Sequence, residues 1–116
     1  MSIRTTLCFI LSCSTAFAGA CETKRQVFIE NAETKVWKTT ICPNQNLPYH
    51  THEYARVVIP AENGTLKVTY QSGKVSILHL KKQVPILLDK SQGSRLHQDV
   101  NTGKHSIHVT VIELRK

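Results

Sequence analysis

Long apolar runs are scarce in this chain, and that scarcity removes several architectures at once. Beyond the first twenty residues no stretch approaches the ~20 consecutive apolar positions a membrane-spanning helix requires. No segment keeps its apolar residues on the 3.6-residue period over ten positions, so amphipathic helices are not expected either. Acidic side chains are few, eight against fifteen Lys and Arg, and the formal charge is +7. The basic residues are scattered as Lys24-Arg25, Lys81-Lys82 and Arg115-Lys116, which describes a solvated surface rather than a nucleic-acid footprint. A glycine-rich phosphate loop, a serine-centred elbow and a Cys-His nucleophile pair are all missing, which disfavours hydrolysis through a covalent intermediate.

What is present begins with a leader. Arg4 stands in a short polar start, Leu7 to Phe17 are largely apolar, and Ala16-Phe17-Ala18-Gly19-Ala20 offers small residues for cleavage after Ala18 or Ala20. Residues 1–20 therefore read as a secretory signal peptide, and 21–116 as one domain of a secreted or periplasmic protein. Loss of Arg4 leaves fourteen basic and eight acidic residues, a charge of +6. Cys21 and Cys42 are the two cysteines outside the leader, and an oxidising compartment makes a disulfide between them the first reading. Two alternatives stay open: free thiols, or acylation of Cys21 as a lipid anchor. The lipoprotein signal normally has Leu where Ala18 stands.

The rest of the chain alternates with a period of two. Strands are expected at Val27 to Ile29, Lys35 to Ile41, Tyr49 to Ile59, Thr65 to Tyr70, Val75 to Leu80, Val84 to Leu88, Leu96 to Val100 and His105 to Leu114. Pro60 ends the third, and Asn63-Gly64 suggests a hairpin that pairs Thr65 to Tyr70 back onto it. Eight short strands with polar turns, in a chain that must bury its core alone, predict an all-β antiparallel barrel or double sheet. Asn63-Gly64-Thr65 also matches a glycosylation sequon, but the turn accounts for it.

His50-Thr51-His52 places two imidazoles at i and i+2, on one face of a strand and roughly 6.5 Å apart at Cα, where both can reach one cation. His97 follows with Asn101 four positions on. The run His50-Thr51-His52-Glu53-Tyr54-Ala55-Arg56-Val57-Val58-Ile59-Pro60 followed by Gly64 resembles the first motif of the cupins, and His97-Gln98-Asp99-Val100-Asn101 the core of their second. Within that superfamily the wording resembles small single-domain members named for β-alanine degradation. The resemblance implies a jelly-roll barrel with His50, His52 and His97 as metal ligands. It also departs from the family: the ligand glutamate would fall at Arg56 or Val57, and Gly93-Ser94-Arg95-Leu96 replaces the second motif's proline and glycine.

Imidazole ligands suit Fe, Zn, Ni or Cu, and three of them leave positions open for water or substrate. Strand parity sets Tyr54 and Arg56 beside the histidines and turns Glu53 away. A buried guanidinium without an inward acid on its own strand needs an acid from elsewhere or an anionic ligand. A small carboxylate shared by Arg56 and the metal, oriented by Tyr54, meets that need. Two functional classes follow: a metal-dependent enzyme acting on a small organic acid, and a non-catalytic envelope protein whose barrel binds a ligand or partner after losing its metal. A homodimer through barrel edges would protect an otherwise open edge strand.

Overall fold

A computed structural model describes residues 20–115; the expected leader, apart from Ala20, lies outside the described residues. Eight strands form, as the alternation predicts: β1 Lys24–Glu30, β2 Thr34–Ile41, β3 Ala55–Pro60, β4 Gly64–Tyr70, β5 Val75–Leu80, β6 Ile86–Leu88, β7 His97–Val100 and β8 Ile107–Leu114. They make two antiparallel sheets, one in the order β1-β2-β8-β3-β6 and the other β5-β4-β7. Among the described residues a single 3₁₀ turn, at Lys90–Gln92 and capped by Asp89, interrupts the β structure. Among the described residues no helix is long and apolar enough to cross a membrane.

The sequence pattern builds the core directly. On β8, Ile107, Val109 and Val111 are buried while His108, Thr110 and Ile112 are only partly covered, the two-residue alternation of a strand with one inward face. That face meets Trp37 and Ile41 of β2, Val58 of β3, Leu66 of β4 and Leu80 of β5. The two sheets thus close on one apolar interior. β8 sits at its centre, paired on one side with β2 from Thr34↔Leu114 to Ile41↔Ile107 and on the other with β3.

Two expectations need correcting. The long strand from Tyr49 to Ile59 is divided: the backbone bends at Glu53-Tyr54, and regular pairing starts at Ala55. The segment before the bend runs antiparallel to β7, with bridges Asn46↔Val100 and His50↔His97, whereas β3 pairs with β6 and β8 in the other sheet. Crossing between sheets requires the break.

The hairpin at Asn63-Gly64 does not form either, because β4 pairs with β5 and β7 and not with β3. Neither Asn63 nor Gly64 adopts positive φ. Instead the Pro60 carbonyl accepts from the Gln83 N–H at 2.8 Å and Asn63 Oδ1 from the Lys82 N–H at 2.8 Å, so this corner braces the β5–β6 turn.

Cys21 and Cys42 form the expected disulfide, with Cα atoms 6.0 Å apart. Cys21 then has no thiol to carry a lipid, which sets the acyl anchor aside. The bond matters because β1 pairs only with β2 and every one of its residues is exposed. By chain entropy, closing a loop of this size stabilises the fold by about 3 kcal/mol. A Cys21→Ser, Cys42→Ser double variant should therefore unfold at clearly lower urea and with a steeper slope, because the freed unfolded chain exposes more surface; an unchanged midpoint would contradict the assignment.

Candidate metal centre

The three histidines of the two motifs meet. His50, on the segment antiparallel to β7, bonds to His97 through both backbone groups: its N–H donates to the His97 carbonyl at 2.7 Å, and the His97 N–H returns the bond at 3.0 Å. This is the close hydrogen-bonded pairing of an antiparallel ladder, and it fixes the two Cα atoms independently of their side chains. His52 is positioned by its own N–H, which donates to the Gly93 carbonyl at 2.7 Å. Ring centroids lie 4.5 Å apart for His50 and His97, 4.9 Å for His50 and His52, and 5.5 Å for His52 and His97. Each ring offers one nitrogen within 4.8 Å of those of the other two.

The hydrogen bonds also select which nitrogens are free. Nδ1 of His50 lies 2.7 Å from the Pro48 carbonyl and Nδ1 of His97 lies 2.7 Å from that of Arg95. A carbonyl accepts only, so Nδ1 is the donor in both rings, and in the neutral imidazole that leaves the lone pair on Nε2. The partner carbonyls do what outer groups do in metal sites, fixing tautomer and orientation. Burial, and then the charge of Arg56, hold the pKa of His52 down at about 3. Burial likewise lowers that of His50, against the opposing pull of Pro48 and Asp99. These two rings are therefore neutral at ordinary pH, the state in which imidazole binds a metal.

Gly93 is buried and walls the space beside His52 and Arg56. A Cβ there would lie 2.6 Å from His52 Cβ and 2.8 Å from Arg56 Nη1. Its φ of −118° is open to any residue, so the requirement is space and not backbone conformation. Gly93→Ala should shift His52 and Arg56 together and cost about 1–3 kcal/mol by overpacking, read as a lower urea midpoint accompanied by weakened metal retention. Wild-type stability in that variant would show that the wall is not as tight as described.

Arg56 is 6% exposed, and its Nη1 is buried without a hydrogen-bond partner. Desolvation lowers its pKa, while the charges of Asp99 and Glu113 oppose that effect. Glu113, directly across the ladder from Arg56, is already bonded to Arg115 Nε at 2.8 Å. The cavity that Arg56 lines also contains His50, His52, Asp99, Arg25 and Trp37. The Arg25 guanidinium covers Trp37 at 4.3 Å from the ring centroid.

Tyr54 does not line this cavity, contrary to the parity argument. The bend at Glu53-Tyr54 breaks the alternation, and the Tyr54 ring lies under Arg115 at 5.9 Å. The phenol that does approach the histidines is Tyr70, opposite His97 in the β4–β7 register, with ring centroids 5.9 Å apart. Glu53 is exposed, as alternation predicts. Asn101, the last residue of the second motif, is 1% exposed and serves the fold: Nδ2 donates to the carbonyls of Ile41 and His105, and Oδ1 accepts from the Gly103 N–H. His108 stands apart, paired with Glu62 at 3.0 Å.

No family model matches the sequence, and no curated protein matches it. Solved structures do. A cupin domain from Bordetella pertussis Tohama I superposes with a TM-score of 0.72 at 21% identity, over 81% of this chain and 94% of that one. An RmlC-like cupin with a double-stranded β-helix fold from Methanocaldococcus jannaschii gives 0.63 at 9% identity, over 84% of each chain. Oxalate oxidase in complex with the substrate analogue glycolate gives 0.59 at 12% identity, over 81% of this chain and 52% of that one. The fold is the double-stranded β-helix of the cupins. Its interior carries a three-histidine group compatible with a divalent metal.

Proposed function

We propose that this is an exported cupin-fold protein that holds a divalent transition metal, Fe, Zn, Ni or Cu, on His50, His52 and His97, and that binds or acts on a small organic acid beside it. The observation that carries the reading is the convergence of three ring nitrogens within 4.8 Å of one another, with backbone carbonyls holding Nδ1 of His50 and His97 and so leaving Nε2 of each ring available. The donor set fits such an ion: nitrogen ligands, neutral where burial lowers their pKa, with room left for an exogenous molecule. When bound, the metal would supply Lewis acidity or oxygen activation. The chain's own contribution is Arg56, whose unpaired buried Nη1 suits one oxygen of a carboxylate. Tyr54 as an orienting group has less support than Tyr70, given where the two rings lie. That a protein of this fold is known in complex with glycolate supports a small acid as ligand. The β-alanine degradation group remains a resemblance of wording.

Export is supported by the leader-like residues 1–20 and by the Cys21–Cys42 pair, which suits a secreted or periplasmic protein. A homodimer through the exposed edge of β1 is a further part of this reading. The competing role, a binding protein that has given up its metal, is favoured by Arg56 and Val57 standing where the family glutamate would fall. Metal analysis of the purified mature domain against His50→Ala and His97→Ala separates the two. Stoichiometric metal that both variants lose supports the site, and a metal-free wild type after loading sinks it.

A further inference from the structure

We propose that Asp99 is the fourth protein ligand of this centre, replacing the glutamate that the first motif lacks. The inference rests on the three-histidine reading above and adds a carboxylate to it from the opposite strand. Asp99 follows His97 by two positions on β7, so the two side chains project from the same face. Its Oδ2 lies 3.6 Å from Nε2 of His50, the nitrogen that the Pro48 bond leaves free. Donors at ~2.0–2.2 Å from a common ion stand about 3.0–3.6 Å apart at adjacent positions, so the His50–Asp99 separation matches one such edge; the group mutually within 4.8 Å is the three histidines alone, and the carboxylate joins it by turning about its side-chain bonds. The side chain is 19% exposed and faces the cavity shared by His50, His52 and Arg56. Its backbone is held on both sides, by the β4 register at Val68 and by the Leu47 N–H donating to the Asp99 carbonyl at 3.0 Å.

Charge gives the same answer. In the first motif a base, Arg56, stands where an acid would be expected, which would leave a divalent ion with neutral rings only and a guanidinium nearby. Asp99 is the acid whose charge most favours the ionised Arg56, ahead of Glu113. The carboxylate has in effect moved from β3 to β7, and one negative charge then serves both the ion and Arg56. Glu113 cannot take this part because Arg115 holds it.

Co(II) is the probe, since its visible d–d bands report coordination number and ligand type. Mature protein, Asp99→Asn, Asp99→Ala and His97→Ala would be titrated with Co(II), with chelator competition for affinity and thermal melts of the metal-free forms to confirm folding. The expected result is about one Co(II) per wild-type chain, a loss of more than ~10-fold in affinity for both Asp99 variants, and altered d–d bands that acetate returns toward wild type in Asp99→Ala. Wild-type affinity and bands in both Asp99 variants, alongside loss of binding in His97→Ala, would overturn the Asp99 assignment and leave the histidine site standing. Weaker binding with unchanged bands would also overturn it, marking Asp99 as a neighbouring charge. A wild type that takes up no Co(II) overturns the histidine site and the Asp99 ligand together.

Discussion

Loaded with Zn(II) and dialysed, the wild-type protein should retain about one ion per chain, and His97→Ala should retain none. His97 is the most demanding of the three positions. Its ring is buried, is tied through Nδ1 to the Arg95 carbonyl, and is flanked by His50, His52 and Tyr70. Removing an outer hydrogen-bond partner of a metal ligand typically costs 10–100-fold in affinity, so removing the ligand itself should exceed ~100-fold. The same change also opens a cavity beneath β7 and orphans a carbonyl, which should lower stability by about 2–4 kcal/mol even without metal. His50→Ala should match it in metal loss while disturbing the fold less, because the His50 side chain is 22% exposed. Equal metal content in wild type and His97→Ala, measured by atomic emission on folded protein, would remove the centre.

Arg56→Met should make the metal-free protein more stable and its complex with a small acid much weaker. A buried guanidinium loses hydration that Asp99 and Glu113 only partly replace, and its Nη1 makes no hydrogen bond. Replacing such a charge by an apolar side chain of similar length is often stabilising, here by about 1–2 kcal/mol. With glycolate as ligand on the metal-loaded protein, loss of a charge-assisted contact should weaken binding by roughly 2–3 kcal/mol, or 30–150-fold. The two measurements are a thermal melt of the apo form and calorimetric titration of the loaded form. A variant that is both less stable and unchanged in glycolate affinity would show that Arg56 supports the fold and takes no part in ligand binding.

Much of the architecture was readable before any coordinates, because the period-two alternation is a local signal. Eight strands are expected and eight form among the described residues, and the strand expected at His105 to Leu114 buries Ile107, Val109 and Val111 on one face. Pairing is not local, so the alternation does not show which strands are neighbours. Nothing in Tyr49 to Ile59 announces that the backbone bends at Glu53-Tyr54 to change sheets, and the Asn63-Gly64 turn was credited with a hairpin when it braces a different corner. Tyr54 was misplaced for the same reason, since parity holds only while the strand is continuous.

The histidines were legible through motif spacing, whereas Gly93 looked like an ordinary loop glycine. Its role depends on a contact with His52 forty-one positions earlier in the chain. The parity that sets His50 and His52 on one face also sets Asp99 beside His97, so the proposed fourth ligand has a signal in the sequence.

The reciprocal backbone bonds between His50 and His97 bear on how an ion would arrive. A ladder bond costs nothing further at the moment of capture, so the two rings wait at their working separation like the jaws of a set gauge. The ordering entropy that a disordered pair of imidazoles would lose on capture is spent during folding instead. Uptake and release of the ion can then proceed with the sheets at rest, and a chelator would empty the hollow without loosening the barrel around it.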